Sequence, residues 1–458
     1  MSPGLEELTR ALGASFGDRW ITSESRRAQF MTSEGHHQAA LPDLVVRPES
    51  IAEAQALMSA ANAACVPVVP VGVGTSLEGN ASAVTAAVSV DLSGMDRVVE
   101  IVPEDLLCVV EPGVTRERLN EELRATGLFF PIDPGANATL GGMIATRASG
   151  TNAVRYGTMR ENVLGLKVVL PDGSLIRTGT RARKSAAGYD LTHLFTGSEG
   201  TLGLVVEATV RLHGIPETVL AGSWPFDTLE GAVDTVIATI QSGVPVARME
   251  LLDPVAIRAC NAYAQLGLPE RPTLFVELHG SPASVAEQRE MVAAFGDACG
   301  GGDLVMSADA DEQRRLWRAR HAALPAARSL LPGAVTWSTD ICVPISKLAE
   351  AISRARDAID AADLVAPILG HVGDGNYHVF FVLRREDAHA WSRAKLVNEE
   401  LIDFALSVGG TCTGEHGVGI GKREALVREH GDAAVALMRR VKAAVDPGHL
   451  MNPGKIFL

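Results

Sequence analysis

Hydrophobic residues recur at helical spacing at the start of the chain and then in short runs typical of strands. Leu5, Leu8, Leu12 and Phe16 are three or four residues apart, which predicts a helix within a lead-in of residues 1–37. Residues 38–217 alternate short apolar runs with glycine-rich turns, which predicts an α+β domain. Its predicted strands are residues 44–46, 66–70, 88–92, 107–111, 164–170 and 202–212, and its predicted helices are residues 51–64 and 116–126.

The pattern changes in residues 218–407, where longer helical segments alternate with strands. Helices are predicted at residues 229–242, 283–298, 310–330 and 346–362, and strands at residues 273–278 and 378–383. Two repeats of strand, helix and strand would suit a ferredoxin-like α/β domain. Residues 408–458 are rich in glycine again, and we treat them as a separate C-terminal segment.

Composition and charge limit the classes of function. The net charge of −14 would repel nucleic-acid phosphates, so no nucleic-acid partner is predicted. The six cysteines contain no C-x-x-C pair, which indicates reduced thiols. No apolar run approaches the roughly 20 residues of a membrane helix. The first residues lack a basic and apolar leader and include Glu6 and Glu7. The sequence therefore predicts a cytoplasmic protein, with peripheral contact at the inner membrane left open.

Three segments are dense in glycine and other small residues. They are residues 71–80 (VGVGTSLEGN), residues 133–152 and residues 195–203 (FTGSEGTLG). Such loops expose backbone N–H groups and allow close approach to a phosphate or a flat ligand. The first is not a Rossmann loop, because its third glycine comes too late and a strand follows it. Residues 410–423 are not a P-loop, which would need glycine at His416 and serine or threonine at Arg423.

Histidines and carboxylates cluster in two glycine-framed turns, GHVGDGNYH (residues 370–378) and GEHG (residues 414–417). Two histidines and one glutamate form a three-ligand set that leaves coordination positions free, as in a catalytic metal site. A further histidine is then left over as a general base, because its unperturbed pKa lies near neutrality. Asn376 serves the turn or reaches a substrate.

The three glycine-rich segments, in this order, resemble the FAD-binding domain of the vanillyl-alcohol oxidase and p-cresol methylhydroxylase (PCMH) superfamily. The resemblance implies a two-subdomain PCMH-type domain in residues 38–217, a cap domain for substrate in residues 218–407, and a C-terminal segment that returns to the FAD site. Covalent members usually carry a histidine in the first loop, and none lies between Val71 and Asn80, so non-covalent FAD is implied. The implied FAD-binding residues are Val71, Gly72, Val73, Gly74, Thr75, Ser76, Gly79, Asn80, Pro134, Gly135, Thr139, Gly141, Gly142, Ala145, Ser149, Gly150, Asn152, Tyr156, Gly157, Glu199, Gly203, Val205 and Asn452.

GHVGDGNYH, GTCTGEHGVGIGKR and the ending LMNPGKI make the chain similar to the family of FAD-linked D-lactate dehydrogenases (cytochrome) and glycolate oxidase catalytic subunits. The resemblance implies a divalent metal, zinc or manganese, at His371, His378 and Glu415, although two histidines and a glutamate also suit iron. It implies His416 as the base, and Arg320 as the residue that binds the substrate carboxylate. We include Asn376 among the candidate catalytic residues because it lies between the two histidines.

The implied reaction is oxidation of a D-2-hydroxy acid to the 2-oxo acid, with metal-assisted deprotonation and hydride transfer to FAD. D-lactate is the favoured substrate, and a cytochrome, a quinone or an electron-transfer flavoprotein would be the acceptor. A homodimer is left open. Glycolate and D-2-hydroxyglutarate are the rival substrates; the lysine and threonine of the hydroxyglutarate branch align near Ser338 and Leu324, which favours a smaller acid.

Two readings from other functional classes also remain. One is a non-redox flavoenzyme that resembles alkyl-dihydroxyacetonephosphate synthase. The other is a subunit that binds FAD for a multiprotein oxidase. The two histidine-containing turns favour metal-assisted alcohol oxidation over the non-redox flavoenzyme, and the subunit hypothesis stays open.

Overall fold

The computed structural model describes residues 2–31 and 34–458. Met1, Thr32 and Ser33, which belong to the predicted lead-in, lie outside the described residues. The chain forms two compact units. The first unit is Met1–Ala148, Thr158–Gly214 and Glu415–Leu458, and the second unit is Ser149–Gly157 and Ile215–Gly414.

The predicted helices are found near their expected positions, with one exception, and several helices begin at a capping side chain. Ser50 and Thr228, for example, accept hydrogen bonds from the backbone of the first turn. Three longer helices were not predicted from the sequence, Pro254–Ala264, Ala388–Ser407 and Arg423–Val445. In chain order the helices are α1 (Pro3–Phe16), α2 (Glu24–Arg27), α3 (Ile51–Ala63), α4 (Arg116–Glu122), α5 (Leu140–Thr146), α6 (Ala153–Tyr156), α7 (Met159–Asn162), α8 (Leu191–Phe195), α9 (Leu229–Gln241), α10 (Pro254–Ala264), α11 (Pro282–Ala298), α12 (Ala310–His321), α13 (Ala323–Ser329), α14 (Leu348–Ala361), α15 (Ala388–Ser407) and α16 (Arg423–Val445).

One predicted helix is wrong in its continuity. Residues 310–330 were expected to form a single helix, but α12 ends at His321 and α13 begins at Ala323. Pro325 lies in the first turn of α13, where its missing N–H is tolerated. A continuous helix would have placed the same proline in the interior, where it would clash with the preceding turn.

The strands are short, and most are rich in β-branched or aromatic residues. In chain order they are β1 (Trp20–Ile21), β2 (Leu44–Val46), β3 (Val68–Val71), β4 (Val88–Asp91), β5 (Val98–Val102), β6 (Leu107–Val110), β7 (Leu128–Phe129), β8 (Val163–Val169), β9 (Leu175–Gly179), β10 (Leu204–Arg211), β11 (His213–Gly214), β12 (Thr218–Pro225), β13 (Val246–Leu252), β14 (Thr273–Gly280), β15 (Val305–Ser307), β16 (Val335–Ser338), β17 (Ile341–Cys342), β18 (Ile368–Gly370) and β19 (Asn376–Leu383).

The first unit contains two larger sheets. One has the order β1-β2-β4-β3, with β2, β4 and β3 parallel, and the other is antiparallel with the order β5-β6-β10-β8-β9. A core that includes Leu57 of α3, Val68 and Leu204 joins helix and sheet residues. Met451 is fully buried in the same core and forms a bridge with Val68, so the C-terminal segment returns to the first unit.

The second unit confirms the ferredoxin-like prediction. Strands β12, β13, β14 and β15 lie in the order β15-β12-β14-β13, every neighbouring pair is antiparallel, and α9 and α11 connect the first and last pairs. The sheet then continues through β18, β19 and β16. The α+β fold class is therefore confirmed for the chain.

Both faces of this second sheet are covered, so residues alternate between two cores. Leu274 and Val276 pack in one core, whereas Phe275 between them packs in the other, with Trp317 of α12. On β13, Met249 and Leu251 belong to the first of these cores. The intervening residue Glu250 therefore points to the face that α12 covers.

Candidate active site

The two histidines of GHVGDGNYH lie on a hairpin in the second unit. His371 follows β18 directly, and His378 lies in β19 opposite Leu369. Gly375 in the turn has φ of +85°, a conformation that favours glycine. The imidazole centroids are 5.4 Å apart, and a ring nitrogen of each lies within 4.8 Å of one of the other. The hairpin therefore brings both imidazoles together, as the sequence predicted.

Both histidines are oriented through Nδ1. His371 Nδ1 lies 2.8 Å from Glu250 Oε1, and His378 Nδ1 lies 3.0 Å from the carbonyl oxygen of Thr339. Carbonyl and carboxylate oxygens accept hydrogen bonds, so Nδ1 carries the proton in each ring. The lone pair then belongs to Nε2, as in metal-binding histidines held by an acceptor behind them.

Arg320 of α12 is buried, with 6% of its surface exposed, and it is paired with Glu250. Its Nε donates to Glu250 Oε2 at 2.9 Å, and Nη2 lies 2.6 Å from the same oxygen. Among the described residues, Nη1 makes no hydrogen bond. Sequence reasoning missed Glu250, although a lone carboxylate within the apolar run of β13 was a usable signal.

Asn376 begins β19 and is buried. Its amide nitrogen donates to Asp340 Oδ1 at 2.8 Å and to the carbonyl oxygen of Ile341 at 3.0 Å. Its Oδ1 has no hydrogen-bond partner within the described residues. Asp340, which sequence reasoning also missed, accepts a second hydrogen bond from Thr413 Oγ1 at 2.8 Å. The side-chain amide is therefore oriented with its oxygen available as an acceptor.

Glu415 and His416 belong to the first unit, directly after Gly414, the last residue of the second. The backbone around them is held by Glu199, whose carboxylate accepts from the N–H groups of Val418 and Gly419 at 2.7 and 2.8 Å. Asn80 donates to Glu199 at 2.6 Å and to the carbonyl oxygen of His416 at 3.3 Å. Burial raises the pKa of Glu199, and these hydrogen bonds oppose the rise. In this unit Asn80 and Glu199, both predicted to bind FAD, hold the segment that carries His416.

The first glycine-rich loop follows β3 in the first unit. From Gly72 to Ser76 it is at least partly exposed, and Gly74 and Gly79 both have positive φ. A Cβ atom at Gly72 would lie 2.3 Å from Thr139 Oγ1. The loop therefore approaches the start of α5 closely and can present N–H groups to an anion.

Helix α5 has a face made of small residues. Leu140, Met143 and Ile144 are buried in the core, whereas Gly142 and Ala145 are partly exposed. A Cβ at Gly141 would lie 2.6 Å from Pro112 Cβ, so this glycine serves packing against Pro112. Pro134, which is partly exposed, and Gly135, which is exposed, precede the helix. Such a face admits a flat ligand against the backbone, which fits a flavin.

The remaining predicted FAD residues fall in two places. Gly203, Val205 and Asn452 are in the first unit, where Asn452 donates to the carbonyl oxygens of Asn80 and Glu199 at 2.8 and 2.6 Å. A Cβ at Gly203 would lie 2.7 Å from Val168 Cγ1, so this glycine serves strand packing. The second unit contains the other five, which are Ser149, Gly150, Asn152, Tyr156 and Gly157.

Two of those five contact a buried charged network that sequence reasoning missed. Arg248 Nε donates to Asn152 Oδ1 at 3.0 Å, and Tyr156 Oη lies 2.7 Å from His279 Nδ1. Glu277 joins them, with His279 Nε2 at 2.7 Å and Arg248 Nη1 at 3.4 Å. Burial alone would raise the pKa of Glu277, but Arg248 and His279 lower it below its usual value.

Comparisons with known proteins agree with this arrangement. The FAD binding domain model matches residues 42–179, and the model for the C-terminal domain of FAD linked oxidases matches residues 215–456. The chain is 46% identical to a probable mitochondrial D-lactate dehydrogenase of Danio rerio, covering 99% of this chain and 92% of that one. It is 45% identical to the mitochondrial D-lactate dehydrogenase (cytochrome) of Arabidopsis thaliana, covering 92% and 74%.

Solved structures show the same fold at low identity. A substrate-bound p-cresol methylhydroxylase superimposes with a TM-score of 0.81 at 17% identity, covering 99% of this chain and 96% of that chain. An alkyldihydroxyacetonephosphate synthase does so with a TM-score of 0.78 at 21% identity, covering 99% and 86%. The PCMH-type fold is therefore confirmed.

The predicted cytoplasmic localisation, with peripheral contact at the inner membrane, is wrong. The two relatives above and two yeast D-lactate dehydrogenases are all named as mitochondrial. The prediction rested on the composition of the first residues. Leu5 and Leu8 are buried in a core as part of α1, so this composition is explained by the packing of the helix and carries no information on localisation. Within the described ranges, no helix has both the length and the apolar composition to cross a membrane.

The two family models, the D-lactate dehydrogenase relatives and the fold together confirm the family that the sequence motifs indicated. The chain belongs to the family of FAD-linked oxidases that includes the D-lactate dehydrogenases, and it has the PCMH-type fold.

Proposed function

We propose that this flavoenzyme oxidises D-lactate to pyruvate and passes the electrons to a cytochrome. The similarity to D-lactate dehydrogenases carries the proposal, because four such relatives are 38–46% identical over at least 92% of this chain. Three of the four are named with cytochrome as the acceptor. Their names include neither the metal nor the residue roles, which we infer from the side chains of the site.

The flavin fits the first unit without a covalent bond. The loop of residues 71–80 would take the pyrophosphate on its N–H groups, and the small-residue face of α5 would take the ring system. No histidine occurs in that loop to form a covalent link. When FAD is bound, its flavin ring would supply the acceptor for a hydride from the substrate Cα.

A divalent metal fits the two oriented histidines. His371 and His378 each have Nδ1 against an acceptor, which leaves Nε2 as the donor atom for a metal. Glu415 would be the third ligand, and two nitrogens with one carboxylate suit zinc or manganese. A bound ion of this kind lowers the pKa of a coordinated hydroxyl group.

The remaining roles belong to the substrate's two polar groups. Arg320 would bind the carboxylate through its Nη1 end, since Nε and Nη2 face Glu250. His416 would accept the hydroxyl proton. Asn376, whose side-chain amide is oriented by Asp340, would line the substrate site beside them.

Glycolate is the second candidate substrate. The chain is 34% identical to the glycolate oxidase subunit GlcD of Bacillus subtilis, covering 91% of this chain and 89% of that one. Glycolate lacks only the methyl group of lactate. A hydrophobic pocket discriminates between two substrates that differ by one methyl group by about 1–3 kcal/mol. Only a direct comparison of rates can therefore decide between lactate and glycolate.

Anaerobic mixing of the FAD-loaded protein with D-lactate, L-lactate, glycolate and D-2-hydroxyglutarate tests this proposal. We expect D-lactate to bleach the flavin band near about 450 nm fastest, and EDTA treatment to abolish bleaching until zinc or manganese is restored. Equal rates with glycolate would contradict the substrate assignment. Full activity after complete removal of metal would contradict the metal assignment alone.

The flavin site can be tested separately at Gly72. We expect Gly72→Ala to lower the FAD content of the purified protein by more than half, because the new Cβ would overlap Thr139 Oγ1 and displace the loop. Gly214→Ala is the control, since a Cβ there meets nothing within 4 Å. Flavin absorbance per chain measures both variants. Equal FAD content in the two would contradict the loop assignment.

A further inference from the structure

We propose that Glu250 is a positioning residue that fixes both the substrate-binding arginine and one metal-binding histidine. The inference rests on the function proposed above and adds to it a residue that contacts neither substrate nor cofactor. One carboxylate oxygen faces His371 Nδ1 at 2.8 Å, and the other faces Arg320 Nε at 2.9 Å and Nη2 at 2.6 Å. A single side chain thus joins two elements of the site.

The fold explains why Glu250 can do this. It lies in the middle of β13 with 0% of its surface exposed, and strand alternation directs it to the face covered by α12. Arg320 comes from that helix, and His371 follows β18, the strand next to β13. The carboxylate therefore lies where helix and strand meet. A shift of either element would change the positions of both Arg320 and His371.

Burying the Glu250 carboxylate and the Arg320 guanidinium costs free energy unless each group has a hydrogen-bonded partner of opposite charge. A carboxylate removed from water loses its hydration, and here a guanidinium and an imidazole N–H replace it. An apolar residue would avoid that cost, but it would leave Arg320 buried without a counterion. Since a charged pair is a poor means of gaining stability at such a place, the arrangement is better explained by the geometry it imposes.

The hydrogen-bond pattern determines which substitutions can be tolerated. His371 Nδ1–H and the Arg320 guanidinium both donate, so the residue between them must accept on both sides. A carboxylate does so, whereas a glutamine offers one oxygen and one NH₂. Glutamine would either lose Arg320 or force His371 into the tautomer with its proton on Nε2, which cannot bind a metal through that atom.

Glu250→Gln therefore has two separate expected consequences. If the glutamine NH₂ faces His371, zinc affinity falls by about 10–100-fold, the usual effect of losing the group behind a metal-bound histidine. If the NH₂ faces Arg320, KM for D-lactate rises at least about tenfold with a smaller change in kcat, because Arg320 is no longer held. Zinc content after dialysis against a competing chelator measures the first, and steady-state kinetics at saturating zinc measure the second.

Glu277→Gln is the matched control. It removes a buried carboxylate of the same sheet that also joins a histidine and an arginine, His279 and Arg248. Its zinc affinity should equal that of the unaltered protein. Glu250→Asp keeps the charge but is one methylene shorter, so it should reach only one partner and show an intermediate loss. This variant decides the outcome if Glu250→Gln does not fold, as judged by circular dichroism and FAD content.

Unchanged zinc affinity together with unchanged KM, in whichever Glu250 variant folds, would overturn the positioning role. Failure of the proposed function has a different signature. The unaltered protein would then bind no zinc in the chelator competition, or D-lactate would not reduce its flavin. The two failures are thus distinguished by the unaltered protein alone.

Discussion

Replacing His416 with asparagine is expected to slow flavin reduction by D-lactate by about 10²–10⁴-fold, the usual contribution of a general base. Asparagine keeps a polar side chain of similar size but cannot accept the hydroxyl proton. Zinc affinity and FAD content should both stay close to those of the unaltered protein, because His416 is proposed to bind neither. The loss should therefore appear in the reduction rate and not in composition.

Hydrogen bonds to backbone atoms hold this segment, and asparagine at position 416 would keep them. Asn80 donates to the His416 carbonyl oxygen, and Glu199 accepts from Val418 and Gly419. His430→Asn is the control, since the His430 side chain is 41% exposed. Stopped-flow mixing with D-lactate measures both rates. A His416→Asn rate within threefold of the control would exclude His416 as the base.

Much of the fold could be predicted because its elements depend on local apolar periodicity. The strand at Leu44–Val46 and the helix α9 coincide with short apolar runs and with residues spaced three or four apart. The ferredoxin-like topology was expected from the alternation of helices and strands, but only β14 of its four strands was predicted individually. The break at Ala322 was missed because Pro325 was placed in the interior of one long helix. Proline is unfavourable there but is tolerated in a first turn, where the structure has it.

The site was only partly predictable, since its residues are separated by long stretches of chain. The histidine pair could be found because both members lie on one hairpin of nine residues. The carboxylate of Glu250 stands out in its apolar strand, but its partners could not be identified from the sequence, because Arg320 and His371 are 70 and 121 residues away and their pairing depends on strand order. Motifs locate residues that act within one turn, whereas a positioning residue is recognised by its contacts.

Arg320→Ala is expected to lower kcat/KM for D-lactate by at least about 100-fold, which corresponds to about 3 kcal/mol. The substrate carboxylate would lose its cationic partner, and KM should rise more than kcat falls. The same change leaves the Glu250 carboxylate buried without its cationic partner, so the free energy of unfolding should fall by about 3–5 kcal/mol. Steady-state kinetics and thermal unfolding measure the two effects on one preparation.

Arg318→Ala provides the control on the same helix, because Arg318 is exposed. Combining Arg320→Ala with Glu250→Gln separates the two effects. The double variant no longer buries an unpaired carboxylate, so most of the lost stability should return, whereas the affinity for D-lactate should stay low. If affinity returned together with stability, Arg320 would be a structural partner of Glu250, and the substrate carboxylate would have to be bound by another cation.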